Sequence, residues 1–178
     1  MVDDAVLQQL TPTGKLRVAI AIAPAPSAQF AIKDGDSYRG VAVTLGRALS
    51  AKLGVPVEII PHQASGEIQN SADANRWDVA FLPVDEERKK FVAFGNAYHL
   101  LQSTFPVAPG SKINSVKDAD AKGVGIGGVA NTATFRAAKR ATPNAAHIDF
   151  AGVDAAVAAM RDGRIEARWL DAVHASVL

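Results

Sequence analysis

Apolar runs of strand length alternate with helix-patterned segments in this chain, and that order restricts the fold more than any other property. Residues 16–23 (LRVAIAIA) are almost continuously apolar, as a central strand buried on both faces requires. Val41, Leu45, Ala48, Leu49 and Leu53 then share one helical face, and Gly54 and Pro56 close it. Residues 55–60 predict a second strand, 65–75 a polar helix and 77–82 a third strand. This alternation is the signature of a parallel sheet with crossover helices. A short helix over 2–10 precedes it, and 33–37 form an Asp-Gly turn cluster.

The pattern then restarts. Residues 98–107 read as a long extended segment ending at Pro109-Gly110-Ser111. A helical turn (116–119), a strand (123–127), a helix (132–140), a strand (146–150), a helix (153–161) and a strand (165–170) follow. The expected architecture is α/β in two lobes, with residues 1–100 in the first, 101–111 crossing between them and 112–178 in the second.

Composition narrows the function. Hydrophobic residues make up 48% and charged residues 21% of the chain, as in a folded globular protein. A net charge of +1 gives no electrostatic case for nucleic acid or a polybasic membrane surface. Cysteine is absent, which excludes disulfides, cysteine-based zinc sites and thiol nucleophiles. The start, Met1-Val2-Asp3-Asp4, lacks a signal peptide's basic region and apolar core, so the chain is expected to be cytoplasmic or already relieved of its signal.

Two local motifs point to anion chemistry. Gly125-Ile126-Gly127-Gly128-Val129-Ala130 is a G-x-G-x-x-A between strand and helix, with Asp149 ending the next strand. Too little chain follows for a full dinucleotide domain, so no cofactor is expected. A glycine pair entering a helix at Asn131 and Thr132 still suits a carboxylate or phosphate at the helix N-terminus; a plain turn with an N-cap is the competing reading. Arg88 stands apart in the charged run 85–90, because it follows the C-terminal end of a strand, where open parallel sheets bind ligands. Its planar fork suits a carboxylate; a solvated helix face is the alternative. His62, His99, His147 and His174 show no metal spacing, so no metal is expected. Catalysis has no positive signal.

Taken in order, several stretches resemble the amino-acid-type (family 3) periplasmic solute-binding proteins of ABC importers. Thr13-Gly14-Lys15-Leu16-Arg17-Val18 is similar to their mature start. Tyr38-Arg39-Gly40-Val41 with the following helix, and Trp77-Asp78-Val79-Ala80 with Glu87-Arg88, are similar to their first lobe. Val116-Lys117-Asp118 and Gly152-Val153-Asp154-Ala155 through Asp162-Gly163-Arg164 resemble their second. The resemblance implies a type II periplasmic-binding fold of two lobes with parallel-rich sheets, closing on a small solute between them. It makes Arg88 the grip on a solute carboxylate, with Phe81, Pro83 and Val84 beside it. Gly128, Val129, Ala130, Asn131 and Thr132 would supply N–H donors from the second lobe. It further implies a periplasmic location and an ABC permease as partner.

Several departures qualify those expectations. The family's Gly-Phe-Asp-x-Asp stands here as Gly40-Val41-Ala42-Val43-Thr44, and 81–84 are poor in side-chain donors, which points away from an ordinary α-amino acid. Asp171 falls where the family's acid for a ligand ammonium would lie, yet Arg168-Trp169 interrupts the expected apolar run. From Arg168 the tail is therefore expected to leave the family pattern. Pro106 is expected to break a ladder in the crossing segment. At Leu178 the second lobe and return crossing are expected to be incomplete, which favours homodimers through exposed edges or strand exchange. Two alternatives follow: a dehydratase on the same fold using Glu87, His62 or His99, or a truncated self-associating form without transport.

Overall fold

The computed structural model describes residues 3–22, 31–100 and 102–171. His174 lies outside them. The chain divides into two compact units, Met1–Gly95 and Asn96–Leu178.

The first unit opens with α1 (Asp4–Leu10), capped by the Asp3 carboxylate, and β1 (Leu16–Ala21). Leu16, Val18, Ala19 and Ile20 are all fully buried, as the continuous apolar run requires. β2 (Ile32–Asp34) and β3 (Ser37–Arg39) pair antiparallel around Gly35 at φ 58°, so the Asp-Gly cluster is a hairpin tip. α2 (Val41–Leu53) buries Ala42, Val43 and Gly46 and ends at Gly54 in the left-handed region (φ 71°). A Cβ at Gly46 would stand 2.9 Å from Val18 Cγ1, which is how closely α2 lies on β1.

β4 (Val57–His62), α3 (Ser65–Asn70), a 3-10 turn (Ala72–Ala74) and β5 (Val79–Ala80) complete the sheet, in the parallel order β4-β1-β5. The polar helix is thus split, and Asn75 at φ 49° ends it. Asp78 then braces the sheet. Its carboxylate accepts from the Arg17 amide (2.8 Å), Nε (3.0 Å) and Nη2 (2.6 Å), and its own amide donates to the Arg17 carbonyl. The Asp of the Trp-Asp pair therefore serves strand assembly. Regular pairing ends after Ala80, two residues earlier than expected, with Pro83 unable to donate to a ladder.

The second unit contains β6 (Ser103–Thr104), α4 (Val116–Ala119), β7 (Gly125–Val129), α5 (Ala133–Ala141), β8 (Ala146–Phe150), α6 (Val153–Arg161), β9 (Ala167–Arg168) and β10 (Leu170–Asp171). β8, β7 and β9 form a parallel sheet in that order, and β10 pairs antiparallel with β6. The segment expected to cross between lobes is built into this unit. Val107 bridges Ala167, the Ala108 amide donates to the Glu166 carbonyl, and the Pro106 carbonyl accepts from the Arg168 amide. Pro106 contributes an acceptor, so the ladder continues past it. Phe105 stacks on Trp169 at 5.3 Å, in a core with Ile113, Ala119, Ile126, Phe135, Ala138 and Ala167. Arg168 and Trp169 therefore extend the buried strand instead of interrupting it.

His147 on β8 meets the same core from its edge. Its ring packs edge-on against Phe135, and Nε2 lies 3.0 Å from Thr142 Oγ1, a hydroxyl that donates to the Ala138 carbonyl. Burial pushes the His147 pKa below its ordinary value, helped by the Lys139 charge and opposed by Asp120 and Asp149. The unfolded chain then binds this proton more readily than the folded one, so stability falls as pH drops from the ordinary histidine value to the lower folded one. Urea unfolding across that window is expected to show a shallower pH slope in His147→Gln; identical slopes would assign the dependence elsewhere.

Candidate functional site

Arg88 is the most deeply buried charged residue of the described chain, with no exposed surface. It opens a 3-10 turn (Arg88–Lys90) that follows the segment 81–84 leaving β5. Asp85 sets that turn: its Oδ1 accepts from the Glu87 amide (2.9 Å) and the Arg88 amide (3.1 Å). The guanidinium folds back toward α3. Nη2 donates to Ser65 Oγ (2.9 Å), Nε to Gln69 Oε1 (3.3 Å) and Nη1 to the Pro83 carbonyl (3.0 Å), while Asp85 Oδ2 lies 3.8 Å from Nε.

The parallel strands place this cluster. Ser65 begins the helix after β4, and Phe81, Pro83 and Val84 follow β5, so both contributions sit at the C-terminal edge of β4-β1-β5. That edge is where open α/β sheets bind ligands. Phe81 and Pro83 are half-buried, and Val84 is exposed. A guanidinium fixed in this way is a pre-oriented, permanently charged fork, suited to a planar carboxylate.

Ser65, Gln69 and Asp85 were not among the expected site residues. Ser65 and Gln69 stand four apart on one face of α3, a spacing that the sequence does contain. Asp85 lies in a charged run that reads as solvated, yet it is only 6% exposed.

In the second unit, Gly128 and Val129 belong to β7 and only 130–132 form the turn. The Ala130 amide donates to the Phe150 carbonyl, so that donor serves the sheet. Asn131 turns the chain at φ 59°. Thr132 caps α5, accepting from the Phe135 amide (3.2 Å) and donating to the Val129 carbonyl (2.8 Å). The glycines have a packing cause. A Cβ on Gly128 would stand 2.1 Å from Phe135 Cδ2, and one on Gly127 2.4 Å from Ile165 Cδ1.

The acid and base candidates are placed individually. Glu87 pairs with Lys90 at 2.8 Å at the surface, His62 Nε2 lies 3.3 Å from Ser71 Oγ, and His99 is exposed. Among the described residues, no group of three or more His, Asp or Glu side chains could hold a metal ion. No described helix is long and apolar enough to cross a membrane.

The model of the bacterial extracellular solute-binding proteins, family 3, matches residues 16–173. The match runs through Arg168 and Trp169, which overturns the expected departure there. The ancestral amino-acid-binding protein AncCDT-1, a precursor of cyclohexadienyl dehydratase, is 29% identical with a TM-score of 0.77, over 97% of this chain and 77% of that one. An ancestral arginine-binding protein bound to glutamine is 28% identical with a TM-score of 0.70, over 92% and 72%. Holo ArgBP from T. maritima, at 22% identity, shares the fold with a TM-score of 0.73, over 96% and 74%.

Proposed function

Since the chain belongs to family 3 of the bacterial extracellular solute-binding proteins, we propose that it binds a small carboxylate-bearing solute, an amino acid or related organic acid. Arg88 is the observation that carries this reading. A buried guanidinium, oriented by Ser65, Gln69 and the Pro83 carbonyl at the C-terminal edge of a parallel sheet, supports this reading because its planar fork suits a carboxylate. We further propose that the protein works in the periplasm and delivers its solute to an ABC permease, as its family membership supports.

A thermal-shift panel tests the reading. It should contain arginine, glutamine and lysine beside small organic acids. A ligand present at about a hundred times its Kd contributes roughly 2.7 kcal/mol, which for a chain of this size is a rise of roughly 5–10 °C in Tm. At least one member should produce it, saturably. A panel in which every member leaves Tm unchanged would sink the proposal.

A further inference from the structure

β9 carries a charge into the interior of the second unit. Arg168 is 3% exposed, and its Nε and Nη1 are buried with no hydrogen-bond partner among the described residues. The residue lies level with Gly127 across the β7–β9 ladder, so the two share a sheet face. A Cβ on Gly127 would meet Ile165 and Phe150, and α6 packs on β7, β8 and β9. Arg168 thus lies in the layer between the sheet and α6. Asp154, in the first turn of α6, is the charged group whose field acts on its guanidinium, and no ion pair forms between them. Burial drives the Arg168 pKa down, as expected for a charge without a close counterion.

The helix above has a complementary need. α6 is nine residues long, and its N-cap is Gly152, which makes no side-chain cap. The first-turn amides therefore lack the side-chain acceptor that an N-cap usually supplies. A buried guanidinium lacking a counterion and a helix N-terminus lacking a cap call for the same group. We propose that Arg168 and the first turn of α6 bind a small oxyanion, a carboxylate by preference, at a second site wholly within unit 2. The planar guanidinium and the amides both donate, so one carboxylate or phosphate can satisfy both. Asp154 and Ala155 are exposed, so the first turn of α6 borders solvent. This site does not depend on the solute-binding role of Arg88.

The test follows the Arg168 Nε–H resonance of the full chain by nitrogen-15 NMR. The signal is assigned by its absence from Arg168→Lys, and acetate and then inorganic phosphate are added at constant ionic strength. Binding should move it saturably, and acetate should raise Tm saturably. Arg168→Met should lose most of that rise while folding at least as well without the anion, because an apolar chain replaces a buried charge. Arg88→Met should leave the Arg168 response intact, which separates this site from the proposed solute site. A stronger response to phosphate than to acetate would overturn the carboxylate preference. A signal that stays still, or drifts linearly as ionic screening would make it, overturns the site itself. If Arg168→Met does not fold, the resonance of the unaltered chain decides alone.

Discussion

Gly128→Ala is expected to lower the stability of the second unit by about 3 kcal/mol or more, the upper end of the cost of overpacking a core. The added methyl would stand 2.1, 2.3 and 2.8 Å from three atoms of the Phe135 ring. Contacts of that kind are relieved only when the neighbour moves. Phe135 is 2% exposed, lies in the core with Ile126, Ala138 and Trp169, and meets His147 edge-on and Lys139 across its face. Its backbone is held as well, because its amide donates to the Thr132 cap. Gly46→Ala is the milder comparison, with a 2.9 Å approach to a Val18 methyl.

The chain has two tryptophans, Trp77 in the first unit and Trp169 in the second. Urea unfolding followed by Trp169 fluorescence in a Trp77→Phe background therefore reports on the affected unit. Phe135→Ala alone should cost roughly 3–5 kcal/mol through the cavity it leaves. The double variant should be less destabilised than the two single effects added together, since the clash disappears with the ring. A Gly128→Ala midpoint within about 0.5 kcal/mol of the unaltered chain, the range of an inert surface change, would remove the packing argument.

The same glycine shows where sequence reasoning reached its limit. Gly125-Ile126-Gly127-Gly128 reads locally as a backbone left bare for an anion, because glycine pairs before helices often serve that purpose. Its cause lies seven residues on, in an aromatic ring that α5 turns down onto β7. No local pattern encodes that approach. Where the determinants are local, prediction and structure agree closely. The periodic face and Gly54 stop delimit α2 at Val41–Leu53, and the runs at Ala146–Phe150 and Val153–Arg161 form β8 and α6. The hairpin strands Ile32–Asp34 and Ser37–Arg39 are not legible in the sequence because they hold few apolar residues and only their turn is distinctive. Arg168 reads as an interruption of a buried apolar run because charge normally marks the surface. Its burial under α6 is a tertiary fact that the order of residues does not display.

Arg88→Met should abolish the ligand-induced rise in Tm, and it should also destabilise the first unit. These two effects have different causes and can be separated. Loss of the guanidinium leaves the Asp85 carboxylate, whose side chain is 2% exposed, without the charge 3.8 Å away. Removing one partner of a buried ion pair typically costs about 3–5 kcal/mol, mostly through the charge left behind. Asp85→Asn keeps an oxygen that can accept from the Glu87 and Arg88 amides while removing that charge. The double variant, Asp85→Asn with Arg88→Met, should therefore recover much of the stability and none of the ligand response. Arg88→Lys keeps a positive charge but loses the planar fork that Ser65, Gln69 and the Pro83 carbonyl orient. It should bind weakly, between the unaltered chain and the methionine variant. Calorimetric titration of the folded double variant is the decisive measurement, because stability no longer confounds it. Binding there at unaltered affinity would make the arginine a structural brace and leave the solute carboxylate to other groups.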